Sequence, residues 1–168
     1  MKKFIAVLFV VFVANFGCKK MDEGNRLCAC SPIQEPTLVL VLKNAENMDV
    51  LNPNTNGYFA TNNIQLYYQE EGETQKQLNF YIRPSFSYGN EKFDYYQLYS
   101  SEIIRKATTA NQNFYLKMGN NEPIKLNVEF DGNQKYLVSK LLVNGTEADA
   151  EKGGVVNYVR NIFYIKLP

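Results

Sequence analysis

The chain has 168 residues, with 18 basic against 17 acidic side chains and no histidine. The near-neutral balance argues against nucleic acid, which needs a basic face. The missing histidine removes Ser-His-Asp, Cys-His and imidazole–metal chemistry.

At the start of the chain, Lys2 and Lys3 form a basic cluster before eleven uncharged apolar residues, 4–14. That run has the length of a signal-peptide core and is too short to cross a hydrocarbon layer of about 30 Å as a helix. Asn15, Phe16, Gly17 and Cys18 follow. A small residue directly before a cysteine, at the end of a short apolar run, resembles the lipobox of bacterial lipoproteins. In that family the cysteine is acylated and becomes the mature N-terminus, which makes Cys18 the expected lipidation site. Asn15 stands where the family usually has Leu. An ordinary secretory signal is the competing reading, but small residues at both −1 and −3 of a cut are hard to find here. Acyl chains contribute about 0.8 kcal/mol per buried methylene, so several of them give stable attachment. No second apolar run of transmembrane length follows, and the rest of the chain is expected outside the bilayer.

Losing Lys2 and Lys3 with the leader turns the formal charge from +1 to −1. Residues 18–168 suffice for one domain that buries about two-thirds of its unfolded surface. Residues 1–17 are thus expected as a lipoprotein signal peptide and 18–36 as a lipidated N-terminus with a flexible tether. Residues 37–168 are expected as a single β-sandwich domain. In the tether, Cys28 and Cys30 are separated only by Ala29. Zinc needs about four ligands, which these cannot supply. A strained local disulfide, an intermolecular one and two free thiols all remain open, with the oxidising compartment favouring the local pair.

Twelve tyrosines and eleven phenylalanines, no tryptophan and many Asn-containing turns lean towards strands. Residues 37–43, TLVLVLK, are continuously apolar and predict a central strand covered on both faces. A long Asn-rich connection over 44–63 carries the turn signals Asn52-Pro53 and Asn56-Gly57. Ile64, Leu66 and Tyr68 alternate with Gln65, Tyr67 and Gln69. After Glu70-Glu71-Gly72-Glu73, residues Leu78, Phe80 and Ile82 alternate likewise, which predicts a hairpin. Residues 86–99 are aromatic and irregular, and 101–110 read as one helical turn or a crossover. Phe114, Leu116 and Met118, then Ile124, Leu126, Val128 and Phe130, keep a strict period of two. Asp131-Gly132 and Asn144-Gly145 are tight-turn signals. The closing strand is expected over 155–167, with Val155, Val159, Phe163, Ile165 and Leu167 on one parity.

Seven to eight short strands with frequent turns and no long helix predict an all-β, antiparallel β-sandwich, immunoglobulin-like or transthyretin-like. The CKKMDE start, the Cys28-x-Cys30 tether, the LVLVLKNAENMDVLNPNT opening and the LLVNG before the last strand together resemble the small lipoproteins of Bacteroidetes. That group is uncharacterised and brings no active-site residues. The resemblance implies an outer-membrane, lipid-anchored protein. It also implies that Lys20, Asp22 and Glu23, just behind the lipidated cysteine, act as a surface-export signal.

Carboxylates are the remaining catalytic candidates, since glycoside hydrolysis needs two at about 5–9.5 Å. Glu70, Glu71, Glu73, Glu122, Asp131 and Glu147 fall in expected exposed turns and read as solvated charges. Asp131-Gly132-Asn133 lacks the further ligands of a calcium loop. No metal or cofactor is expected. The sharper feature is Phe80, Tyr81, Phe86, Tyr88, Phe93, Tyr95, Tyr96 and Tyr99, eight rings in twenty residues. Tyr is apolar in body and polar at its tip, which suits sugar stacking or protein anchoring. Tyr67, Tyr81, Tyr88, Tyr95 and Tyr96 are the expected binding patch, and scattered core and surface tyrosines are the plainer reading. The expectation is a non-catalytic, lipid-anchored binding protein with a protein or glycan partner. A structural or adhesive subunit acting by strand pairing comes second and a carboxylate-only hydrolase third.

Overall fold

The computed structural model describes residues 35–69, 74–108, 112–134 and 136–167. The leader, Cys18, Lys20, Asp22, Glu23, Cys28, Cys30 and Glu70, Glu71 and Glu73 lie outside the described residues.

The chain forms an all-β, sandwich-like fold. Its strands are β1 (Leu38–Lys43), β2 (Ile64–Gln69), β3 (Lys76–Gln77), β4 (Tyr81–Arg83), β5 (Phe86–Tyr88), β6 (Glu91–Phe93), β7 (Gln97–Ser100), β8 (Asn113–Met118), β9 (Ile124–Phe130), β10 (Val138–Val143), β11 (Thr146–Glu147), β12 (Asp149–Ala150) and β13 (Ile162–Lys166). A short helix, α1 (Ser101–Ala107), follows β7. Of the seven strands of four residues or more, β7 lies in the stretch read as irregular and the other six fall in segments read as strands, while the remaining strands have two or three residues. One sheet has the order β12-β13-β1-β7-β4 and the other β11-β10-β9-β8-β2-β3, while β5 and β6 pair only with each other.

Pairing is antiparallel except that β1 runs parallel to β13, with Val39 opposite Ile162 and Lys43 opposite Lys166. Leu38, Leu40 and Leu42 meet Leu98, Phe163 and Ile165 in one core with Leu66, Phe114, Leu116, Met118, Leu126 and Leu141 of the facing sheet. Val39 and Val41, on the other face of β1, join a second cluster with Phe93, Tyr99, Val155, Val159 and Ile162. The continuous apolar run of β1 is therefore buried on both parities, as a central strand demands.

Three expectations are modified. The hairpin across 64–82 stops early: β2 pairs Lys76 and Gln77, and the chain then crosses so that Tyr81–Arg83 pairs with β7 in the other sheet. The crossing is pinned where the Ser100 hydroxyl donates to the Asn79 carbonyl at 2.9 Å and Glu102 accepts from the Asn79 N–H at 2.8 Å. Ser100 also caps α1, so one residue both ends β7 and starts the helix. The closing strand covers only Ile162–Lys166, because Gly154–Asn157 forms a 3-10 turn. Val155 and Val159 share a face by helical spacing, not strand parity, and cover the outside of the five-stranded sheet. Asp131-Gly132 opens a longer loop: the Asp131 carboxylate accepts from Asn133 and the Asp131 N–H reaches the Leu137 carbonyl at 2.8 Å. Asn144-Gly145 is the two-residue turn expected, with φ of 49° and 85°.

Asn161 ties these parts together. It sits at φ 57°, a conformation that Asn tolerates better than most residues. Its side chain accepts from the Val138 N–H and donates to the Thr37 and Tyr136 carbonyls, while its own carbonyl accepts from Val39. Both sheets are fastened at the entry to β1 and β10 by this single side chain.

The aromatic outer face as a candidate site

Alternation along β4 and β7 sets Tyr81, Arg83, Gln97 and Tyr99 on the outer face of the five-stranded sheet, away from the inner core. Tyr81 lies opposite Tyr99 and Arg83 opposite Gln97 in the ladder. The Tyr81 ring stacks on Tyr99 at 5.1 Å between centroids and an angle of 20°. Stacking supports one face of Tyr81 while the residue stays 55% exposed. The Arg83 guanidinium lies 4.2 Å from the Phe86 ring centre and donates to the Tyr99 hydroxyl at 3.2 Å. Burial pushes the Tyr99 phenol up from its ordinary value, and the Arg83 contact partly offsets this.

The segment between β4 and β7 folds back over this face as the β5–β6 hairpin. Phe86 packs on Phe93 at 5.7 Å, Phe93 meets Tyr95 edge-on at 5.6 Å, and Tyr95 meets Tyr164 edge-on at 5.8 Å. At the hairpin tip Tyr88, 58% exposed, lies on Tyr158, 43% exposed, at 4.4 Å. The result is a row of rings from Tyr81 to Tyr164, open at Tyr81 and at the Tyr88–Tyr158 tip and covered at Tyr164.

The far end of the row carries charge. Lys43 Nζ lies 4.1 Å from the centre of the Tyr95 ring and 4.5 Å from that of Tyr164, a geometry worth about 0.5–2 kcal/mol per contact. The Tyr164 hydroxyl donates to Glu151, whose other oxygen accepts from the N–H groups of Lys152 and Gly153. Burial and the Glu151 carboxylate hold the Tyr164 phenol well above the ordinary tyrosine value. Burial alone would raise Glu151, but the Tyr164 hydroxyl, the two N–H groups and the Lys43 charge bring its carboxyl below the usual range.

The structure divides the expected patch. Tyr81, Tyr88 and Tyr95 share the outer face of the five-stranded sheet. Tyr96 points the other way and packs against the inner core. Tyr67 lies on the six-stranded sheet, only 4% exposed, stacked on Tyr115 at 5.3 Å. The alternation placed Tyr67 on the outward parity correctly, but it could not show that a cross-strand ring would cover it. Sequence reasoning missed Arg83, Tyr158, Tyr164 and Gln97. The parity of β4 and β7 carried a signal for Arg83 and Gln97. Nothing local could bring Tyr158 and Tyr164 beside residues more than sixty positions away.

Asp49, Glu102, Asp131 and Glu151 use their carboxylates to accept from backbone N–H groups of loops and turns. Asp49 accepts from the N–H groups of Leu51 and Tyr96, and burial raises its carboxyl despite them. Glu102 accepts from Asn79 and is lowered by that contact. Glu147 lies 3.7 Å from Lys140 on the surface. Among the described residues, no three His, Cys, Asp or Glu side chains lie close enough to hold a metal ion. No family model, no curated protein and no solved structure matches the chain.

Proposed function

We propose that this is a lipid-anchored cell-envelope protein of the outer membrane, a non-catalytic β-sandwich that binds a partner through the aromatic outer face of its five-stranded sheet. The observation that carries the reading is the set of exposed but back-supported rings. Tyr81 rests on Tyr99, and Tyr88 rests on Tyr158. A ring already held in place loses little conformational freedom on binding, so its apolar area is available for affinity. That Asp49, Glu102 and Glu151 are engaged by backbone N–H groups favours binding over carboxylate hydrolysis. Strand pairing with a partner is less favoured, because the sheet edges β3, β4, β11 and β12 are strands of only two or three residues. Short edges are poor templates for an added strand.

The anchor rests on the Gly17-Cys18 step behind its short apolar run. Palmitate labelling of intact cells should mark the wild type and not Cys18→Ala, and equal labelling would discard the anchor. For the face, crosslinking on intact cells should capture one partner with the wild type and lose it when Tyr81, Tyr88 and Tyr158 are replaced together by Ser. Retention of the same partner by the triple variant sinks this reading.

A further inference from the structure

Gln97 is fully buried on the outer face of the five-stranded sheet. Its Nε2 donates to the Tyr95 carbonyl, while Oε1, equally buried, has no hydrogen-bond partner. Turning the amide over would only set two oxygens against each other, so the orphaned atom is the acceptor. A buried acceptor without a donor costs free energy that an apolar residue of the same size would not. A fold that keeps such a group at one point of an aromatic face retains it against stability.

The cover over this point is weakly attached. The β5–β6 hairpin is inserted between the neighbouring strands β4 and β7, and its ladder joins it to neither sheet. Two strands alone are marginal in water. Side chains hold the hairpin down: Phe86 under Arg83, Phe93 against Tyr95, Tyr88 on Tyr158, and the Glu91 carboxylate close against Gly154. Ring and cation–ring contacts of this kind can be exchanged for contacts to a ligand.

We propose that the outer face at the Arg83–Gln97 rung is a saccharide-binding cleft and that the β5–β6 hairpin is the flap covering it. The proposal rests on reading this face as a binding surface. The polar groups choose the ligand class. Gln97 Oε1 needs a donor, the Arg83 guanidinium has N–H groups beyond the one given to the Tyr99 hydroxyl, and a sugar hydroxyl both donates and accepts. Tyr81, 55% exposed and supported from behind by Tyr99, supplies a ring face for the C–H face of a pyranose. A peptide strand cannot be added at this rung, because β4 and β7 already use it to pair with each other. No carboxylate takes part in the rung to select a cation.

The test uses the mature full chain in detergent on a microarray of neutral, N-acetylated and anionic glycans. The wild type should bind a subset of sugars. Gln97→Leu should raise the melting temperature and lower that signal at least tenfold. Arg83→Ala, at a partly exposed position, should lose signal to a similar degree with little change in melting. On adding a sugar from the array, hydrogen exchange of amides 86–93 should slow in the wild type and not in Gln97→Leu. Wild-type signal in Gln97→Leu, or a variant that melts lower or fails to fold, overturns the cleft, because the amide is then inert or structurally satisfied. If Tyr81→Ala loses signal while Gln97→Leu and Arg83→Ala keep it, the face binds sugar but the cleft is wrong. If no sugar binds while the cell-surface crosslink persists, the saccharide class fails and the binding face stands.

Discussion

Leu38, Leu40 and Leu42 enter the core shared by the two sheets, whereas Val39, Val41 and Lys43, on the same strand, enter the aromatic layer outside it. The inner face is mainly aliphatic and gains stability from area removed from water, which is non-directional and tolerant of which hydrocarbon supplies it. The outer face adds to its buried valines and Ile162 a set of rings, hydroxyls, an amide, two cations and two carboxylates, whose contributions depend on angle and distance. The first arrangement secures the fold. The second leaves Tyr81 and the Tyr88–Tyr158 tip exposed and one acceptor unmet, which is what the proposed recognition would use.

That contrast can be broken most strongly from the inside. Leu40 is fully buried, and Leu40→Ala should cost about 2–5 kcal/mol in urea unfolding, lowering the midpoint at every pH alike. A loss below about 1 kcal/mol would mean that the inner face is not the stabilising one.

The outer face should instead show itself through pH. Glu151 is held below its ordinary value of 4.5, so the folded state favours its charged form. Its contribution is present above that pH and is lost as pH falls through the lower folded value. Tyr164 is held above 10.0, so its neutral phenol is favoured. That contribution is present below pH 10.0 and is lost as pH rises through the higher folded value. Urea midpoints across pH should therefore lose part of their acid arm in Glu151→Gln, the rest belonging to groups such as Glu102, and part of their alkaline arm in Tyr164→Phe. Unchanged arms would show that the pair is not coupled to folding.

The smallest effect belongs to Tyr81. Tyr81→Ala removes one exposed ring from a stacked pair and should cost about 1 kcal/mol or less. A loss as large as that of Leu40→Ala would make the ring a structural element and weaken its role in recognition.

The inner face was legible in the sequence because period-two burial is a local signal. Phe114, Leu116 and Met118 are all buried where the alternation set them. The two-sided burial of β1 was legible from its unbroken apolar run. The composition of the outer layer was not, because it depends on the parallel partner β13 and on an inserted hairpin, neither of which leaves a mark near Tyr81 or Lys43. Alternation gave Tyr67 and Tyr81 similar standing, yet the crossover after Gln77 sends them to different sheets. A pattern of apolar and polar residues reports which side of a strand is covered. It does not report what covers it, so the parity that set Gln97 on the outer face did not show that this polar residue would be wholly enclosed.

The parallel pairing of β1 with β13 also bears on the order of assembly. Val39 must wait for Ile162, almost a whole domain later in the chain, before the middle of its sheet can close. Contacts of such sequence separation form late and slow folding. A chain threaded unfolded across a membrane, as the export reading requires, gains from that delay. On that reading its central strand would emerge ahead of both of its partners, β7 and β13, and would not be locked early into a structure too wide to translocate.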